Sequence, residues 1–130
     1  MTSIPSSSQL ESVMIIDDNE MDNLLNKIIL EKHNFSKSIQ LYNSPTAAIK
    51  DLTEGKITPD AIFVDINMPE MTGFEFVEAF EKINRPELNK SRLYIISSSD
   101  DKQDIKKAFS FKSVSKYLTK PLDIVQLTSE

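Results

Sequence analysis

The chain has 130 residues, 39% of them hydrophobic and 27% charged, which suits one folded domain with a single core and not a disordered tail. A net charge of −5 with no run of Lys or Arg argues against direct nucleic-acid binding, because phosphate backbones are held by clustered cations. Cysteine is absent, which excludes disulfides, thiolate metal sites and cysteine nucleophiles.

In chain order, residues 1–11 begin Ser-rich and read as a flexible N-terminal segment, with a folded domain over 12–130. That start has neither a positive n-region nor an apolar h-region, and no later stretch is apolar enough to span a membrane. A cytoplasmic protein is expected. Val13-Met14-Ile15-Ile16 is the first buried-strand candidate and stops at Asp17-Asp18. From Glu20 to His33, Met21, Leu24, Leu25, Ile28 and Ile29 recur at helical spacing and predict a buried helix face. His33 itself reads as solvent-facing at the helix end. Ile39–Tyr42 is a short strand candidate. Ser44-Pro45 starts a helix carrying Ala48, Ile49 and Leu52, and Gly55 stops it.

Ala61–Ile66 follows, an apolar and largely β-branched run ending around Asp65, with Asn67, Pro69 and Gly73 in the loop beyond. Thr72 and Glu75 have capping-box spacing, and a helix continues through Phe76, Val77, Phe80 and Ile83 until Arg85-Pro86. Leu93–Ile96 is a fourth strand, ending in Ser97-Ser98-Ser99. Asp100 is placed to cap a helix through Phe109. Lys116–Thr119 is the fifth strand, followed by Lys120-Pro121 and a short helix from Asp123. Strand and helix thus alternate five times, which predicts an α/β fold: an open, doubly wound five-stranded parallel sheet with helices on both faces.

In such a sheet, ligands bind beyond the carboxyl ends of the strands. Those ends carry Asp17-Asp18, Asp65, Ser97 and Lys120. Carboxylates gathered there repel by about 4 kcal/mol per pair at roughly 4 Å in an effective dielectric near 20. Lys120 alone cannot balance three of them. A hard divalent cation can, and Mg²⁺ suits carboxylates, waters and phosphate oxygens. With a hydroxyl and an ammonium beside the metal, the pocket suits a phosphoryl group. Without a Ser or Cys nucleophile paired to a base, the carboxylate of Asp65 is the expected acceptor, giving an aspartyl phosphate. Each residue also has a plain structural reading: Asp17-Asp18 and Ser97–Ser99 as helix caps, Asp65 and Lys120-Pro121 as turn residues, Tyr117 as core. Those plain readings would have to hold independently at four strand ends.

Asp17-Asp18, the Val64–Pro69 block with Thr72-Gly73, Ile96-Ser97 and Tyr117 with Lys120-Pro121 together resemble the receiver domain of two-component response regulators, over roughly residues 12–127. The resemblance implies a flavodoxin-like (βα)5 domain, either a stand-alone regulator or a receiver cut from a longer protein. It implies that Asp65 accepts a phosphoryl group from a sensor histidine kinase or a histidine phosphotransfer protein. Mg²⁺, with Mn²⁺ able to substitute, would be held by Asp17, Asp18, Asp65 and the backbone carbonyl of Asn67. Ser97 and Lys120 would bind the phosphoryl oxygens, and a cis bond would precede Pro121. Ser97 and Tyr117 would form the switch that alters a surface read by a downstream protein, and Asn67 and Ser99 would tune hydrolysis. A monomer or weak dimer without conventional turnover is expected.

Three departures from the family pattern stand out: no glycine lies between Phe109 and Lys116, the sequence has only two glycines, and the last helix is short. Two rival functions are weaker. A phosphatase of the haloacid-dehalogenase type would need an acid/base carboxylate where Asn67 stands, and a degenerate receiver would not keep all five site residues.

Overall fold

A computed structural model describes residues 9–99 and 101–128. The apolar runs form β1 (Leu10–Ile16), β2 (Ser36–Tyr42), β3 (Ala61–Asp65), β4 (Arg92–Ser97) and β5 (Val114–Thr119). Helices α1 (Glu20–Lys32), α2 (Pro45–Thr53), α3 (Gly73–Glu81), α4 (Lys102–Ala108) and α5 (Ile124–Thr128) follow them in turn. All strand pairs are parallel, in the order β2-β1-β3-β4-β5, which is the expected flavodoxin-like winding. Strand order reverses between β1 and β3, so the crevice of such a sheet opens above those two strands.

Side chains alternate across the sheet and feed two cores. Met14, Ile16, Ile62, Val64, Leu93 and Ile95 pack with residues of α2, α3 and α4, while Val13, Ile15, Phe63, Tyr94, Ile96 and Leu118 pack with Leu30 of α1 and Leu127 of α5. β3 is buried on both faces, which explains its unbroken apolar sequence. Ser44 caps α2 by accepting from the amide of Ala47, and Gly55 follows that helix with φ +78°. The capping box of α3 is formed in both directions: Thr72 N donates to Glu75 Oε1 at 2.9 Å and Glu75 N to Thr72 Oγ1 at 3.1 Å.

Several boundaries differ from the sequence reading. β1 opens at Leu10, β2 at Ser36 and β5 at Val114, because backbone pairing extends past the apolar residues. α3 ends at Glu81, and Pro86 instead opens a short 3₁₀ turn, Pro86–Lys90. Asp101 caps α4, accepting from Gln103 N at 2.7 Å; the cap expected of Asp100 lies outside the described residues, as do residues 1–8 of the N-terminal segment. The glycine-free loop before β5 needs no glycine: among the described residues, left-handed backbone occurs only at Asn34 and Gly55.

The largest correction concerns α1. The expected buried stripe faces solvent: Met21 is 74% exposed, Leu24, Leu25 and Ile28 about half, and only Ile29 is partly buried. The inward residues are Asn23, Asn26 and Leu30. Asn23 Nδ2 donates to the carbonyls of Asp17 (2.9 Å) and Tyr42 (3.1 Å) and to Asn43 Oδ1 (3.0 Å). Carbonyls at the ends of β1 and β2 need donors, which an alkyl side chain cannot supply. Urea denaturation should show the inversion directly. Leu30→Ala is expected to cost about 2–5 kcal/mol, and Leu24→Ala less than about 0.5 kcal/mol. Comparable losses at both positions would contradict this packing.

Candidate functional site

The strand ends bring together most of the residues singled out from the sequence. Asp17 follows β1 and is fully buried, Asp65 ends β3 and is 4% exposed, and Ser97 ends β4 and is fully buried. Lys120 follows β5, its amide donating to the carbonyl of Ser97 at 2.7 Å, and the Lys120–Pro121 bond is cis. Asp18 sits beside Asp17 with its side chain exposed to solvent. One carboxylate oxygen from each of Asp17, Asp18 and Asp65 can be chosen so that all lie within 4.8 Å of one another, a spacing that could hold a metal ion.

The ammonium of Lys120 closes the cluster. Its Nζ lies 2.7 Å from Asp17 Oδ2, 2.9 Å from Asp22 Oδ2 and 3.1 Å from Asp65 Oδ1. Asp17 Oδ1 accepts from the amide of Asn19 at 3.0 Å, whereas the buried Oδ2 makes no hydrogen bond: the ammonium stands at ion-pair distance but off the hydrogen-bonding direction. An under-coordinated buried oxygen on one of three clustered carboxylates fits a hard cation.

The electrostatics follow from burial and crowding. Burial, reinforced by the Asp17 charge and more weakly by Asp18, lifts Asp65 from the usual carboxylate range to about 6, although Lys120 pulls the other way. Burial disfavours the ammonium of Lys120, but Asp17, Asp22 and Asp65 outweigh it and hold its pKa above the ordinary lysine value.

On the β4–β5 side, Ser97 Oγ accepts from the amide of Ser99 at 3.0 Å, and Tyr117 donates its hydroxyl hydrogen to the carbonyl of Ser99 at 2.8 Å. Ser97, Ser99 and Tyr117 are therefore linked through one short loop. Asn67 is exposed, two residues past Asp65. His33 caps the far end of α1, exposed to solvent.

Sequence reasoning missed three residues here. Asn26 Oδ1 accepts from the amide of Leu122 at 3.4 Å, tying α1 to the turn after Lys120. Asn23 supports the end of β1, and Asp22 reaches Lys120 from α1. The spacing Asn23, Asn26, Leu30 is helical and could have been read as the inward stripe. Nothing in the sequence marks Asp22.

The family model for the response regulator receiver domain matches residues 13–130. The chain is 36% identical to a two-component response regulator from Cytophaga hutchinsonii, with a TM-score of 0.84 and 92% of each chain covered. It is 32% identical to a response regulator receiver protein from Dyadobacter fermentans, with a TM-score of 0.80 over 90% of this chain and 91% of that one. It is also 31% identical over 71 residues to protein-glutamate methylesterase/protein-glutamine glutaminase 3 of Burkholderia thailandensis. That match covers 55% of this chain and only 19% of the longer protein.

Proposed function

The chain belongs to the response regulator receiver domain family, and from that premise we propose that it is a phosphoacceptor switch whose acceptor is Asp65. The observation that carries this reading is the position of Asp65: buried at the end of β3, 3.1 Å from the ammonium of Lys120 and within a three-carboxylate cluster. The donor is a histidine kinase or a histidine phosphotransfer protein. An oxygen of Asp65 forms the new O–P bond as the donor's P–N bond breaks, and the histidine nitrogen keeps the electron pair.

Asp17, Asp18 and Asp65 are the residues to hold Mg²⁺, or Mn²⁺ in its place, with the carbonyl of Asn67 as a further ligand. When bound, the cation offsets carboxylate repulsion and shields charge on the transferring group. Lys120 neutralises the phosphoryl oxygens, and Ser97 donates its hydroxyl hydrogen to one of them. Movement of Ser97 towards the phosphoryl group draws on Ser99, whose amide donates to Ser97 Oγ and whose carbonyl holds Tyr117. The Ser97–Ser99–Tyr117 link is thus the two-state element that carries the event to the β4–α4–β5 surface read by a downstream protein. Asn67 and Ser99, each two residues beyond Asp65 and Ser97, flank the path of the water that later hydrolyses the acyl phosphate. The exposed apolar face of α1, on the helix whose first turn touches Lys120, is the surface this reading offers to the protein donor. Among the described residues no helix is long and apolar enough to cross a membrane.

The decisive experiment incubates the protein with Mg²⁺ and acetyl phosphate and measures intact mass. One added phosphoryl group is expected, and none with any donor would refute the reading. Metal binding has its own readout. Mg²⁺ at about a hundred times its Kd should add about 2.7 kcal/mol to unfolding free energy, reversed by chelator. A melting curve unmoved by both Mg²⁺ and Mn²⁺ would remove the metal from the scheme.

A further inference from the structure

An ammonium has three N–H donors, and Lys120 faces three carboxylates: Asp17 at 2.7 Å, Asp22 at 2.9 Å and Asp65 at 3.1 Å. Two of these belong to the acidic cluster at the strand ends. The third does not. Asp22 comes from the first turn of α1, its side chain is 38% exposed, and it stands outside the cluster whose oxygens gather within 4.8 Å. Its position is fixed from below. Its amide donates to Asn19 Oδ1 at 3.0 Å, and the amide of Asn19 donates in turn to Asp17 Oδ1 at 3.0 Å. The cap of α1 therefore aims Asp22 at Lys120 from the solvent side of the pocket.

We propose that Asp22 is a positioning residue that holds Lys120 in the unphosphorylated state and competes with the incoming phosphoryl group for its ammonium. The inference rests on the phosphoacceptor reading given above. A phosphoryl oxygen on Asp65 needs a donor from Lys120, and the ammonium gives a hydrogen bond to Asp22 at 2.9 Å. A cation held by Asp17 and Asp65 shares their charge and weakens their claim on the ammonium, whereas Asp22 keeps its full charge. Asp22 is therefore the contact that competes most directly with the phosphoryl group, and its strength sets how readily Lys120 turns to phosphate. Because the pair is partly exposed, the competition is modest: its removal should change rates by a small factor, about two- to fivefold.

The test compares Asp22→Asn and Asp22→Ala with wild type and with Glu20→Gln. The last removes the same charge from the same helical turn at a residue whose carboxylate meets Asn43 and not Lys120. In Mg²⁺, the rate constant for phosphorylation by acetyl phosphate is expected to rise about two- to fivefold in both Asp22 variants. The apparent affinity for beryllofluoride, a phosphoryl mimic, should rise by the same factor. Asp22→Glu should return both quantities towards wild type, and Glu20→Gln should leave them unchanged. Melting curves without ligand, expected to match wild type, separate this role from a merely structural one. Rates and affinities in the Asp22 variants at or below wild type, or an equal gain in Glu20→Gln, would overturn the proposal. A wild-type protein that takes neither phosphoryl group nor beryllofluoride would instead overturn the phosphoacceptor reading beneath it.

Discussion

Asp65→Asn is expected to abolish phosphorylation and at the same time to make the metal-free protein more stable at neutral pH. The first effect follows from losing the only nucleophile proposed for the site. The second follows from the cost of keeping that nucleophile charged. Burial and the neighbouring Asp17 raise the Asp65 carboxyl to about 6, against 3.8 for an unperturbed group. The folded state thus binds a proton that the unfolded state has already released between those two values. Stability owed to that proton is complete below the lower pKa and is lost as pH rises through the higher one. A rise of that size corresponds to at most about 3 kcal/mol at neutral pH, and relaxation of the site leaves about 1–2 kcal/mol as the measurable gain on substitution. The gain should vanish near the lower pKa and reverse on adding Mg²⁺, which stabilises wild type and finds one carboxylate fewer in the variant. Denaturation curves across pH, with and without metal, give all three comparisons. A variant less stable than wild type at neutral pH without metal would show that Lys120 compensates the crowding more fully than this balance allows.

The same balance predicts how phosphorylation responds to pH. Only the carboxylate form can attack, so at low Mg²⁺ the rate of phosphorylation by acetyl phosphate should fall as pH drops through about 6. The fall approaches tenfold per pH unit once most of Asp65 is protonated. Raising Mg²⁺ should move the midpoint to lower pH, because a bound cation favours the charged form. A midpoint insensitive to the metal would place the cation away from Asp65.

The strand ends are legible in the sequence because strands buried on both faces are written as unbroken apolar runs. Val13–Ile16, Ala61–Val64 and Leu93–Ile96 each stop where a polar side chain must face the crevice, so Asp17, Asp65 and Ser97 announce themselves. Helix α1 misleads for the opposite reason. Hydrophobic periodicity assumes that the apolar stripe is the inward one, yet the helix lies over the ends of β1 and β2, where Asn23 donates to the carbonyls of Asp17 and Tyr42. Asn26 does the converse for the amide of Leu122. The apolar stripe of α1 then remains in solvent. The Asp22–Lys120 pair is beyond the reach of sequence patterns because its partners are 98 residues apart and meet only once the chain has wound β5 onto the far side of the sheet from β2.

Gly73→Ala should disable the protein without removing any charged group. Gly73 opens α3, and its amide donates to the carbonyl of Ile66 at 2.8 Å. A Cβ there would stand 2.7 Å from the carbonyl oxygen of Asp65 and 2.9 Å from Cα of Ile66. Both are backbone atoms, so no side chain can swing aside, and the start of α3 must move off the end of β3. The glycine is needed for the space it leaves, since its φ is not in the left-handed region. Overpacking of this kind costs about 1–3 kcal/mol, and loss of the bond to Ile66 about 1 kcal/mol more. Alanine's better helix propensity returns at most about 1 kcal/mol. A net loss of about 1–4 kcal/mol is expected in urea denaturation. The nearest of the crowded atoms belongs to Asp65 itself, and a carboxylate shifted by a fraction of an ångström leaves its alignment with Asp17, Asp18 and Lys120. Phosphorylation by acetyl phosphate should therefore slow by about tenfold or more under conditions where the variant remains folded. A variant that melts and reacts like wild type would mean that the loop from Ile66 to Thr72 absorbs the extra atom, and that the end of β3 is not held by α3.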